Sequence, residues 1–91
     1  MDWKLFADLA EAAGEPEPDV ETTDVATVGE ALDALLDAHP ALAARVLDED
    51  GELRGHINLL KNGQDVREGE GLDTPVDDDD ELALFPPVSG G

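Results

Sequence analysis

Side chains able to do chemistry are scarce in this chain, and those present do not converge. There is no cysteine, which removes thiolate nucleophiles, thiolate zinc sites and iron–sulfur clusters together. His39 precedes a proline and His56 opens an apolar run; neither has a serine or carboxylate at a meaningful spacing, so both read as structural. Ser89 lacks the strand–turn–helix context of a nucleophile elbow. The aspartates from Asp77 to Asp80 are consecutive. Consecutive ligands do not converge on a cation as alternating Asp-x-Asp-x-Asp-Gly loops do. No metal site is expected, and the run reads as a solvated acidic turn. What remains is the end of the main chain. Ser89-Gly90-Gly91 places no bulky side chain near the terminal carboxylate. Glycine has no side chain to clash with a narrow site and keeps its freedom in φ. The carboxylate of Gly91 is therefore the candidate reactive group, with Gly90 beside it. No acid–base pair, nucleophile or phosphate loop can be assembled, so the chain reads as a substrate and not as an enzyme.

Such a tail needs a rigid base. Glu81-Leu-Ala-Leu-Phe85 alternates as a strand should, Leu82 and Leu84 on one face, Ala83 and Phe85 on the other. Pro86 and Pro87 end strand pairing and stiffen the exit. Residues 1–85 are expected to form one domain and residues 86–91 an exposed tail. At the other end, Trp3 and Leu5 share one strand face and Lys4 and Phe6 the other. A short helix is expected from Ala7 to Ala13, stopped by Gly14. Glu15-Pro-Glu-Pro-Asp19 is a turn, and Val20 to Val25 a second strand paired with the first.

Thr27-Val-Gly-Glu30 has the spacing of a capping box. Val28, Ala31, Leu32, Leu35 and Leu36 then recur at helical spacing until Pro40. A second helical piece is expected over Ala41–Leu47, then a turn at Asp48–Gly51. Gly55 to Lys61 reads as a strand, and Asn62-Gly63 is a strong hairpin signal. A returning strand is expected over Gln64–Arg67, a loop over Arg67–Asp73, and a single turn or 3₁₀ piece at Thr74–Val76. One main helix cannot bury its stripe alone and must lie across the sheet. With the first and last strands as parallel central neighbours, that helix serves as crossover between two halves. The fold class is α+β of β-grasp type, a mixed sheet of four to five strands with one main helix across it. Phe6 and Phe85 then lie on the sheet face away from the helix, as a partly exposed aromatic pair beside the tail, suited to docking a partner.

Ninety-one residues fit one small domain. The chain carries 24 acidic and five basic residues, a formal net charge of −19. Nucleic acid is not an expected partner, because phosphate backbones need a basic footprint. Intrinsic disorder is disfavoured by 41% hydrophobic residues in periodic patterns. An acidic binding face at low salt and adaptation to a salt-loaded cytoplasm both remain. The abundance of Asp, Glu and Ala with two lysines favours the second, because molar salt cuts the Debye length to about 3 Å and screens the self-repulsion. No signal peptide and no apolar run long enough to span a membrane are seen. A monomeric, cytoplasmic protein with no membrane partner is expected.

The opening Trp3-Lys-Leu-Phe-Ala-Asp-Leu-Ala-Glu11, the Thr27-Val-Gly-Glu-Ala-Leu32 helix start and the ending Asp80-Glu-Leu-Ala-Leu-Phe-Pro-Pro-Val-Ser-Gly-Gly91 resemble the small archaeal modifier proteins. These in turn are similar to the small subunit of molybdopterin synthase and, more distantly, to ubiquitin. The resemblance runs the whole chain and implies an archaeal source, which the acidic composition narrows to a haloarchaeal one. The aspartate run departs from it, since a glycine commonly sits in that turn. It implies that an E1-like activating enzyme, using ATP, adenylates the Gly91 carboxylate. The acyl-adenylate would then take up sulfur as a thiocarboxylate for molybdopterin synthesis or tRNA thiolation, or pass to a substrate lysine as an isopeptide. Molybdopterin synthase large subunit and substrate-protein lysines are the implied partners, and the protein itself binds no cofactor. No maturation cleavage is expected, because the chain already ends at Gly91. The resemblance adds Leu60 to Phe6 and Phe85 as the E1-like docking patch. Lys4 and Lys61, the two lysines, are the possible side-chain acceptors for self-conjugation, with simple surface lysines as the plainer reading. A dedicated molybdopterin synthase small subunit and a non-covalent β-grasp binding module stay as rivals.

Overall fold

Two apolar strands from opposite ends of the chain set the sheet. The computed structural model describes residues 2–18, 20 and 25–86. Strand β1 (Asp2–Leu5) pairs parallel with β4 (Glu81–Phe85), Trp3 beside Leu82 and Leu5 beside Leu84. Strand β2 (Asn58–Lys61) lies antiparallel on the other side of β4, Leu59 opposite Leu84, and β3 (Gln64–Asp65) pairs with β2. The order is β1-β4-β2-β3, with β4 inside the sheet. Parallel neighbours cannot be joined by a tight turn, so the intervening chain must cross over a face. That face carries the core. Trp3, Leu5, Leu59, Leu82 and Leu84 are all buried and cluster with Val28, Ala31, Leu32 and Leu35 of α2 (Val28–Ala38). This is the β-grasp architecture read from the alternation of apolar residues.

The capping box forms. Thr27 Oγ1 accepts from the Glu30 amide at 3.2 Å. The Glu30 carboxylate accepts from the Ala26 amide at 2.9 Å, one residue earlier than the usual reciprocal partner. Helix α1 spans Asp8–Ala13 and closes on Gly14 at φ 88°. The helix expected from Ala7 starts one residue later. Ala7 has φ 53° and ψ −131° and is the corner that turns β1 into α1; a non-glycine residue there is strained by about 1–3 kcal/mol. The Ala41–Leu47 piece is a 3₁₀ turn over Pro40–Leu42 continuing into α3 (Ala43–Val46), with Leu42 and Val46 buried. The expected turn at Asp48 is present, the Asp48 carboxylate accepting from the Asp50 and Glu52 amides.

Four local expectations need correction. The strand read from Gly55 begins only at Asn58, because Ile57 N donates to Arg54 O at 3.0 Å and closes a turn through His56. The strand read over Gln64–Arg67 stops after Asp65. The Asp65 carboxylate accepts from the Arg67 amide at 2.8 Å and starts a 3₁₀ turn instead. The expected loop after it holds a second 3₁₀ turn at Gly71–Asp73. Thr74–Val76 is extended, not a turn. Val28 N donates to Thr74 O at 2.8 Å and Val76 N to Ala26 O at 3.0 Å, while Pro75, which has no amide to satisfy, sits between them. The strand expected over Val20–Val25 lies mainly outside the described residues, with Val20 itself buried. Among the described residues no helix is long and apolar enough to cross a membrane.

Candidate functional site

The site is the outer face of the sheet where β1 and β4 end together. Register decides which side chains share it. Residues directly opposed across a ladder point to one side, so Lys4 with Ala83, and Ala83 with Leu60, occupy the face away from α2. Phe6 and Phe85 continue that face. Their rings lie 4.2 Å apart and within 10° of parallel, a stacked pair. Phe6 is 40% exposed, the large apolar side chain most open to solvent among the described residues. Leu60 and Phe85 are half-buried, and Leu60 stands diagonal to Phe85 across the β2–β4 ladder. The structure thus gathers Phe6, Leu60 and Phe85 on one apolar surface. The reason is the parity of the strands: α2 takes every other residue, and these alternate with it.

Phe85 ends β4, and Pro86 follows it as the last described residue. The stacked pair therefore borders the point where the tail departs. Gly90 and Gly91, the candidate reactive group, lie outside the described residues.

The two lysines are not alike. Lys4 stands on the outer face with its ammonium 3.3 Å from Glu81, both side chains over 40% exposed. Lys61 opposes Leu82 and so lies on the face toward α2, its ammonium, like that of Lys4, at the start of β4. Its Nζ donates to Pro75 O at 2.7 Å and lies 3.7 Å from Asp80 Oδ2, with the side chain 27% exposed. Both ammoniums thus have a partner, and Lys61 is the less exposed of the two.

The aspartate run divides in two. Asp77, Asp78 and Asp79 are exposed, as a solvated turn should be. Asp80 is not a bystander, which corrects the reading of the whole run. Its Oδ1 accepts from Asn62 Nδ2 at 2.9 Å and its Oδ2 from the Asp77 amide at 2.7 Å. Asn62 in turn accepts from the Glu81 amide at 3.0 Å. These bonds, first that from Asn62 and then that from the Asp77 amide, hold the Asp80 carboxyl below its ordinary value of 3.8, and the Lys61 charge adds to them. Asn62 and Gly63, at φ 51° and 86°, make the primed hairpin turn. Asn62 so serves both the turn and the start of β4. No metal-ligating cluster forms among the described residues.

One feature of the tail exit was not legible in the sequence. A groove beside Pro86 is lined by Asp8, Leu9, Ala44, Arg45, Arg54, His56 and Ile57. These residues come from α1, α3 and the approach to β2, and no local motif links them.

The ThiS family matches residues 3–91 of this chain. Small archaeal modifier protein 1 of Haloferax volcanii is 58% identical over 91 residues, which is 100% of each chain. The crystal structure of that protein superposes with a TM-score of 0.89 at 57% identity, covering 100% of this chain and 98% of that one. Sulfur carrier protein CysO of Mycobacterium tuberculosis is 31% identical over 67 residues, 71% of this chain and 72% of the relative. One relative is named as a modifier protein and the other as a sulfur carrier protein.

Proposed function

The chain belongs to the ThiS family, and on that premise we propose that it is a ubiquitin-like modifier and sulfur carrier whose working group is the Gly91 carboxylate. An E1-like enzyme activates it. A carboxylate oxygen attacks the α-phosphorus of ATP, pyrophosphate leaves, and an acyl-adenylate forms. The carboxylate, a poor electrophile while charged, now carries AMP as leaving group. A substrate lysine amine displaces AMP and forms an isopeptide. Alternatively, hydrosulfide attacks the acyl carbon, AMP leaves, and a thiocarboxylate remains, for molybdopterin synthesis at a molybdopterin synthase large subunit or for tRNA thiolation. The protein supplies position and no catalyst. ATP is bound by the activating enzyme, not by this chain. A salt-loaded archaeal cytoplasm is the proposed setting, and the net charge of −19 supports it.

The observation that carries this reading is the stacked Phe6–Phe85 pair, Phe6 exposed and Phe85 half-buried, where β4 gives way to Pro86. An apolar patch left open on a folded surface marks an interaction site. An enzyme receiving the tail must cover that end of the sheet. Phe6, Leu60 and Phe85 are the proposed docking patch. Lys4 is the favoured acceptor for self-conjugation over Lys61.

The test is mass spectrometry of the purified chain incubated with ATP and the E1-like enzyme of its source. One sulfur in place of one oxygen supports the carrier role. Conjugates of higher mass, with tail-derived remnants on target lysines, support the modifier role. Both products should vanish when Gly90 and Gly91 are deleted, with thermal melting unchanged. Products that persist after the deletion would overturn the assignment to Gly91. Thiocarboxylate without any conjugate would restrict the protein to sulfur transfer.

A further inference from the structure

We infer that the groove beside Pro86 is a seat for a carboxylate of the protein that receives the tail, with Arg45 and Arg54 as its donors. The naming of that partner as the activating enzyme rests on the function proposed above; the chemistry of the seat does not.

The distribution of charge is the first ground. The chain has five basic residues among 24 acids. A surface groove on such a protein should be lined by carboxylates. This one has Arg45, Arg54 and His56, with Asp8 as its single acid. Arg67 is drawn to the same corner, donating through Nη2 to Arg54 O at 2.7 Å. All three arginines thus gather at one corner, and both lysines lie elsewhere on the sheet.

Geometry is the second ground. Arg54 donates through Nε to Ala44 O at 3.2 Å, which fixes the plane of its guanidinium. Among the described residues its Nη groups donate no hydrogen bond. Arg45 already holds a carboxylate, Nη1 standing 2.9 Å from Asp8 Oδ2. Both side chains of that pair are half-exposed, so the contact is weak and exchangeable. Asp8 shows what the groove accepts. A carboxylate from a partner can displace it and take up donors that the fork of Arg54 leaves open, since paired guanidinium N–H groups match a carboxylate in shape and charge.

Position is the third ground. Pro86 lines the groove, so any protein that takes the following residues into its own cleft must approach this wall. The aromatic stack borders the same exit. One supplies apolar area, and the other supplies orientation and choice of partner. A phosphate group is the competing ligand. A nucleic acid, however, would bring a long run of like charge against a surface of net −19, whereas a single acidic side chain meets only the local donors. At molar salt the distant field is screened and a direct contact survives.

Two measurements test this. In pyrophosphate exchange with the activating enzyme of the same source, Arg45→Glu should raise KM for this chain roughly tenfold at unchanged kcat. Asp8→Asn, which frees the Arg45 fork, should lower KM by about twofold. Opposite shifts from two half-exposed residues cannot come from misfolding. In the second measurement, arginine Nε–H resonances of the full chain are followed at molar salt during titration with acetylated triglutamate, and separately with inorganic phosphate. Saturable shifts at Arg45 and Arg54 with the peptide, lost in Arg45→Ala, support the seat. Shifts with phosphate alone, or KM values unchanged in both variants, overturn it. Absent exchange by the wild type together with intact peptide shifts would sink the activation reading and leave the carboxylate seat standing.

Discussion

Replacing Phe85 with alanine separates docking from folding, because the two effects differ in size. A phenylalanine buries about 150–250 Å² when fully enclosed. Phe85 is half-buried and its stacking partner Phe6 is 40% exposed. Truncation therefore loses roughly 100 Å² of buried area, which at about 25 cal/mol per Å² is about 2.5 kcal/mol. The stacking contact adds about 0.5 kcal/mol to that figure, the low end of its range, because the pair is partly open to solvent. A domain of 91 residues has about 5–13 kcal/mol in hand, so Phe85→Ala should stay folded, its melting point lowered by about 12–24 °C. Leu84, one residue earlier and fully buried against α2, is the contrast. Leu84→Ala should cost about 2–5 kcal/mol through lost contacts and a cavity. Docking reverses the order. An aromatic anchor at the centre of an interface is worth about 2–4 kcal/mol, or roughly 30- to 1,000-fold. In pyrophosphate exchange, assayed below the melting points of both variants, Phe85→Ala should raise KM at least 30-fold. Folded Leu84→Ala should leave it within about threefold. An unchanged KM for Phe85→Ala would refute the docking face. A melting loss larger than that of Leu84→Ala would refute its description as an open stack.

Thr27→Ala should cost about 1 kcal/mol and lower the melting point by about 4–8 °C, because the Glu30 amide loses its acceptor. Chemical denaturation with an unchanged slope would check that the cap alone is affected. Asp80 has its folded pKa below the ordinary 3.8. Its stabilising contribution is therefore present above the ordinary value and is lost as pH falls through the lower folded one. Asp80→Asn should flatten the acid limb of a melting-point profile below pH 4, where the wild type keeps falling, and an identical slope in both would count against the Asn62–Asp80 link. With a net charge of −19, stability should fall as salt is lowered from molar to about 10 mM, where the Debye length reaches about 30 Å. A chain equally stable at both ends of a salt titration would remove salt adaptation as the reason for its composition.

Local chemistry was legible in the residues alone. The capping box at Thr27–Glu30, the glycine stop at Gly14, the Asn62-Gly63 turn and the alternation in β1 and β4 each depend on neighbours within four positions. Such interactions are written into spacing. The pairing of the two ends was legible as well, because two apolar strands and one amphipathic helix leave few ways to bury their faces together. Parity then put Phe6 and Phe85 on the outer face.

Contacts between distant segments were decided by the tertiary structure. Thr74–Val76 has the look of a turn, yet it is drawn out straight, because Ala26 and Val28 offer it the backbone bonds it needs. Nothing in four consecutive aspartates marks Asp80 as the one tied to Asn62, 18 positions away. Lys4 and Lys61 are equal in the sequence and become unequal only when Pro75 comes within reach of Lys61 Nζ. Arg45, Arg54 and His56 belong to no motif; folding alone brings them beside Pro86. A hydrogen bond or an ion pair between distant residues depends on where the backbone has already been carried, and the burial of apolar faces carries it there. The sequence determined the candidate reactive end and the face beside it, and the folded chain decided which of its few charges stand near Pro86.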